Sequence, residues 1–204
     1  MAELQDRAGD TRPGPDGLHR CPWALAAPDY LRYHDEEWAR PVRDDAGLYE
    51  RLTLEAFQSG LSWLTILRKR ENFRAAFAGF APDRVAAFDD VDVARLLGDS
   101  GIVRNRAKID AAVANARVLV GLPPGSLTEL VWSAAPQVLP PAPLRLADVP
   151  AVTPASTALA KRLRGLGFRF VGPTTAYALM QACGVVDDHL VGCHIRGVHA
   201  GSTP

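Results

Sequence analysis

The sequence predicts an all-α fold, and three observations carry that prediction. No segment keeps the strict apolar–polar alternation of a half-buried strand. Apolar residues recur instead at helical spacing, most clearly over residues 44–80. Helix-starting residues stand just ahead of such stretches: Asp44 or Asp45, Pro82, Thr153 or Ser156, and Pro173.

Each element follows from local chemistry. Residues 1–18 are polar and rich in Pro and Gly, and read as a disordered leader. Asp44 or Asp45 caps a helix whose shared face holds Leu48, Leu52 and Glu55. Gly60 and Ser62 interrupt it, and a second helix carries Leu64, Leu67, Phe73 and Phe77. Pro82 opens a short helix, Val91 to Leu97 forms another that Gly98 ends, and an Ala-rich helix spans 105–120. A Pro-rich stretch from Pro123 to Pro150 is interrupted by a short helix, Leu127–Trp132. The next helix runs to Leu163, and Pro173 starts one that reaches about Cys183. The expected organisation is one helical domain over 19–196, with a flexible tail at 197–204.

Composition excludes several classes. With 48% apolar and 23% charged residues, the chain of 204 residues reads as an ordinary soluble globular protein. Three Cys, an odd number, and no secretory apolar segment argue for a reducing cytoplasm and against a disulfide framework. No apolar run approaches the ~18 residues of a membrane span. A net charge of zero does not announce nucleic acid. Basic residues nonetheless cluster at Arg68–Arg70 and Arg74, at Arg104, Arg106 and Lys108, and at Lys161, Arg162, Arg164 and Arg169. Such patches serve either phosphate contact or solvation of a helix face.

Two features carry chemistry. Cys21 and His34 near the start, with His189 and Cys193 near the end, are zinc-type ligands, and four of them suffice for a structural site. His189 and Cys193 lie one turn apart if their segment is helical. His19, Cys183, His194 and His199 are also available. The second feature is the turn Gly165–Thr174 between two helices, flanked by Lys161, Arg162, Arg164 and Arg169. A Gly-containing helical hairpin can aim backbone N–H groups and a helix dipole at a phosphate, or be an ordinary helix connection.

Val171-Gly172-Pro173-Thr174-Thr175-Ala176, followed by Asp187-Asp188-His189, resembles the helix-hairpin-helix DNA glycosylase superfamily. Cys21-Pro-Trp23, Tyr30 to Trp38, Leu54 to Trp63, Lys69-Arg70-Glu71-Asn72, Gly101-Ile-Val-Arg104, Gly167 to Gly172, and Met180 to Cys193 narrow this to similarity with the bacterial 3-methyladenine DNA glycosylase I family. The resemblance implies a monofunctional base-excision enzyme that hydrolyses the glycosidic bond of 3-methyladenine, flips the base out of double-stranded DNA and works as a monomer. It implies one structural zinc on Cys21, His34, His189 and Cys193. It places the base-recognising carboxylate at Glu55 and pocket aromatics at Trp23, Tyr30, Tyr33 and Trp63, with Gly60-Leu61 entering the gap left by the base. Backbone contacts fall on Arg169, Gly172 and Thr174. Members that also cut the strand keep a Lys where Thr174 stands here. Two departures are Phe170, in place of the superfamily's first hairpin glycine, and residues 1–18 with the shortened Pro-rich stretch near 133–150, which lie outside the close match. Asp187 stands where the wider superfamily keeps a catalytic Asp, and either catalysis or orientation of the His189 segment is open.

Overall fold

The computed structural model describes residues 9–138 and 140–198. These group into two compact units, one holding the chain up to Pro41, Ala135–Ala151 and the chain from Met180 on, the other Val42–Ala134 and Val152–Leu179.

In the first unit, strands β1 (Arg12–Pro13) and β2 (His19–Arg20) pair antiparallel. The expectation of a disordered leader therefore does not extend over Arg12–Leu18, while residues 1–8 lie outside the described ones. The cause is a partner that composition does not reveal. Buried Arg20 pairs with Asp16 at 2.6 Å and with Asp35 at 2.7 Å, which ties the polar turn down. A 3₁₀ turn, Pro22–Ala26, leads into helix α1 (Pro28–Glu36), opened by Pro28 with Asp29 in its first turn. The backbone of residues 143–144 receives N–H groups from Asp10 and Val191, each at 2.9 Å. Gly184 sits at φ +71° with its α-carbon against the Ala39–Pro41 backbone, where a Cβ would come within 2.6 Å of Ala39 O.

The regular structure of the second unit is all helical among its described residues. Helices α2 (Asp45–Gln58) and α3 (Trp63–Ala76) are followed by α4 (Pro82–Ala86), α5 (Asp90–Gly98), α6 (Arg106–Val120) and α7 (Ser126–Trp132). Helix α8 (Pro154–Gly165) and most of α9 (Pro173–Ala182) complete it. The core is an aromatic series: Phe57 lies 4.8 Å from Phe73, Phe73 6.1 Å from Phe77, and Phe77 5.5 Å from Phe80, centroid to centroid. Tyr49 of α2 donates to Ala112 O of α6 at 3.0 Å, so its buried hydroxyl is satisfied.

The capping alternatives resolve. Asp44 caps α2, accepting from Gly47 N at 2.7 Å. Asp45 works elsewhere: it accepts from Gly125 N and Thr128 N, both at 2.8 Å, and from the Thr128 hydroxyl at 2.7 Å, so it caps α7 from a neighbouring helix. Thr153 caps α8, and Ser156 returns the bond to Thr153 N. Trp132 donates to Val42 O at 2.8 Å beneath the Arg43 guanidinium, a structural role. Asp45→Ala is expected to cost roughly 2–3 kcal/mol, because three donors lose one acceptor, against ~1 kcal/mol for Asp44→Ala. Urea unfolding of the two variants measures the difference.

Candidate active site

Helix α2 presents Glu55 on the face that holds Leu48 and Leu52, both fully buried. Glu55 is 7% exposed. Burial pushes its carboxyl up to about 8, opposed by the charge of Arg51 one turn earlier. A group with this behaviour on an apolar helix face is costly for folding and suited to meeting a cation.

Helix α2 ends in a sharp turn. Gln58 O accepts from Leu61 N, Gly60 takes φ +83°, and Ser62 caps α3 through Thr65 N. The turn leaves Leu61 42% exposed, two residues before the half-buried Trp63. Lys108 of α6 donates to Phe57 O at 2.8 Å and to Ser59 O at 2.6 Å. Lys69 of α3 likewise donates to Ser100 O and Gly101 O. These two lysines of the basic clusters are therefore engaged with carbonyls.

In the first unit, Trp23 gathers the predicted aromatics. Its ring lies 5.7 Å from Tyr30 edge-on and 6.4 Å from Tyr33, and 5.1 Å from Trp38. Glu55 and Trp63 belong to the second unit. Helix α1, which carries Tyr30, Tyr33 and His34, escaped the sequence reading, although Pro28 with Asp29 after it was the available signal.

Beside Trp23 lies a buried metal-type cluster. The ligand atoms of Cys21, His34 and Cys193 fall within 4.8 Å of one another. His34 Nε2 is 3.4 Å from Cys193 Sγ, and its Nδ1 is 2.8 Å from Asp35. The His189 ring stands 4.8 Å from the His34 ring. Its Nδ1 meets Asp187 at 2.7 Å, while its buried Nε2 has no hydrogen-bond partner among the described residues. Histidines held through one nitrogen by carboxylates, with the other nitrogen facing thiols or left unsatisfied, suit metal ligation. The Cys21 thiol, then the His34 ring, hold Cys193 far below an ordinary thiol, whereas Cys193 and burial push Cys21 up. Leu190, Trp23, Val149 and Ile195 seal the cluster. The His189–Cys193 segment is a turn and not a helix, with Cys193 N on Leu190 O at 3.0 Å.

Asp187 spends both oxygens locally. Oδ1 accepts from His189 N at 3.1 Å as well as facing its ring, and Oδ2 accepts from Gly197 N at 2.9 Å. This geometry orients the His189 segment.

The α8–α9 hairpin is held from α6. Buried Asn115 donates to Arg169 O at 3.1 Å and accepts from Arg169 N at 2.7 Å, leaving the Arg169 side chain exposed. Phe170 takes φ +56°, the left-handed conformation that a glycine would occupy, and is 44% exposed. Gly172 O accepts from Ala176 N at 2.9 Å, and Thr174 is exposed on the first turn of α9.

Glu55 has a stability consequence. Its carboxyl is raised in the folded state, so the native chain keeps a proton that the unfolded chain loses between pH ~4.5 and ~8. Stability falls as pH rises through that window, at about 1.4 kcal/mol per unit at most. Glu55→Gln removes the ionisation. Its melting temperature is expected to exceed the parent's at pH 8 and to converge with it near pH 5, by thermal denaturation.

The family model for methyladenine glycosylase matches residues 23–196. The DNA-3-methyladenine glycosylase 1 of Escherichia coli is 46% identical over 181 residues, covering 86% of this chain and 96% of that protein. A crystal structure of 3-methyladenine DNA glycosylase I aligns with TM-score 0.81 at 46% identity, over 86% of this chain and 98% of the other. A variant of 3-methyladenine DNA glycosylase I in complex with 3-methyladenine aligns with TM-score 0.79 at 34% identity, over 86% and 96%. Similarity of this extent, running through both units, means that the chain belongs to the methyladenine glycosylase family.

Proposed function

We infer that the protein is a DNA-3-methyladenine glycosylase that hydrolyses the glycosidic bond of the damaged base. The observation that carries this is Glu55, a carboxyl buried on an apolar helix face and raised to about 8. An adenine methylated at N3 is cationic, and its departure neutralises the charge as the glycosidic electron pair moves onto the base. The enzyme then needs little leaving-group protonation. It has to extrude the nucleotide, hold the cation and let water add to C1′ of the oxocarbenium-like sugar, leaving an abasic site.

Glu55 supplies the selectivity in this reading. The free enzyme holds it largely neutral at pH 7, and an entering cation draws the proton off by favouring the charged form. The carboxylate then accepts hydrogen bonds from the N6 amino edge. Neutral adenine brings no charge to offset that ionisation, so it binds poorly. Trp23, Tyr30, Tyr33 and Trp63 are proposed as the aromatic partners of the base, with cation–π attraction worth about 0.5–2 kcal/mol. Leu61, exposed beyond Gly60, is the residue proposed to fill the vacated stack. Arg169, Gly172 and Thr174 are proposed contacts to the DNA backbone, in the manner of a helix-hairpin-helix clamp. The reaction is monofunctional, since Thr174 replaces the strand-cleaving lysine and buried Lys108 donates to two carbonyls.

We propose structural Zn²⁺ for Cys21, His34, His189 and Cys193. Cys21, His34 and Cys193 lie within ligand reach of one another with the His189 ring beside His34, and a zinc held by the two thiols and two imidazoles would serve as a structural cross-link between chain segments. Double-stranded DNA carrying alkylated adenine is the proposed partner of a monomeric enzyme. Among the described residues no helix is long and apolar enough to cross a membrane.

The deciding measurement is chromatographic release of free base from methylated duplex DNA. Release of 3-methyladenine is expected; no release with DNA binding intact would replace the reading with a non-catalytic DNA-binding module. Because Glu55 acts ionised, kcat/KM is expected to rise with pH and level off above about 8. Glu55→Gln is expected to lose roughly 10- to 100-fold, the worth of hydrogen bonds to a charged group, and to lose the pH dependence. Cys193→Ser is expected to lower metal content from about one zinc per chain and to lower the melting temperature, while excision per folded molecule changes only a few-fold. Elemental analysis beside calorimetry reads both.

A further inference from the structure

Lys108 is a cation that the core has no obvious reason to hold. It is 7% exposed in the first turn of α6, where an apolar side chain of the same length would avoid the cost of desolvating a charge. Its Nζ reaches Phe57 O and Ser59 O, at 2.8 and 2.6 Å. Phe57 O is one of the last carbonyls of α2, which have no acceptor role inside their own helix and form its negative end, and Ser59 O lies just past that end. Gln58 O, between them, is taken by Leu61 N. The turn that carries exposed Leu61 is thus closed from within by one bond and held from outside by two.

The other end of Lys108 is equally fixed. Its backbone N–H donates to the Asn105 cap of α6 at 3.1 Å. The brace therefore runs from a capped helix start, through a short stem, to the root of the Ser59–Ser62 turn. Lys69 applies the same device to the loop ahead of α6, donating from α3 to Ser100 O and Gly101 O.

We propose that Lys108 is a positioning residue for base extrusion: its ammonium locks the Ser59–Ser62 turn to the end of α2 so that Leu61 can bear on the DNA stack. The proposal rests on the glycosylase reading above. A side chain that displaces a stacked base works against the stacking energy, and a compliant turn yields to that load instead of transmitting it. Removing the ammonium leaves Phe57 O and Ser59 O without their donor and frees the turn, while Glu55, one turn earlier in the intact helix, keeps its place.

The test uses the full-length protein and the variants Lys108→Met and Lys108→Arg. Three quantities are read: single-turnover excision from methylated duplex DNA, affinity for free 3-methyladenine base, and hydrogen exchange at the Leu61 amide. Lys108→Met is expected to lose roughly 10- to 100-fold in duplex excision, as for a reacting assembly displaced by about 1 Å. Its affinity for free base stays within about threefold and its Leu61 amide exchanges faster, because the turn opens locally while the base site persists. Lys108→Arg, which keeps charge and donors, recovers most of the excision rate. Should Lys108→Met not fold, Lys108→Gln, which retains one donor group, carries the same comparison. Unchanged duplex excision in a folded variant overturns the proposal, as does an equal loss of free-base affinity and excision, the mark of general damage. If the parent protein itself releases no base, the glycosylase reading fails, and Leu61 exchange alone judges the brace: unchanged protection in Lys108→Met overturns it.

Discussion

A polar group withdrawn from water must find a partner, and most of this structure is arranged around that demand. Buried Asn115 grips both backbone groups of Arg169, Asp45 gathers three donors at the start of α7, and Arg20 takes two carboxylates. Lys108 spends its charge on two helix-end carbonyls. In each case the satisfied group also fixes a loop or a helix end. Polar burial here is the means by which turns are set in one geometry.

Glu55 departs from that arrangement. Burial pushes its carboxyl toward neutrality, and the charge of Arg51 opposes this only in part. In the reading proposed above, a cationic base would favour the charged form of this carboxyl, which an uncharged base would not. Stability and recognition oppose each other at this residue, as they do where a site is built to complete itself on binding.

The cluster at Cys21, His34 and Cys193 solves a different problem. The first unit has short helices, a hairpin whose strands are two residues each and long irregular stretches, so apolar burial alone has little regular structure to work with. Cys21, His34 and Cys193 bring residues near the two ends of the chain to one buried point beside α1, on which Tyr30 and Tyr33 stand; a metal held there, as proposed above, would stabilise the folded unit over the unfolded chain. Asp35 and Asp187 each meet one of the two histidines at Nδ1, the contact through which a carboxylate orients an imidazole.

Much of this was legible in the chain itself. Helical periodicity and caps located α2, α3, α6, α8 and α9, because those signals act within a few residues. The place of Glu55 on an apolar face is likewise a local pattern, whereas ligand chemistry left Cys21, His34, His189 and Cys193 among several Cys and His candidates until the family resemblance selected them and gave Glu55 its expected role. Tertiary structure decided the rest, since the deciding partners lie far away in sequence. Asp16 is ordered by Arg20 and Asp35, Lys69 and Lys108 turn from apparent phosphate binders into internal braces, and Phe170 is held in a left-handed conformation by a hairpin anchored on Asn115. A sequence states which side chains are capable of an interaction; only the folded chain determines which of them meet.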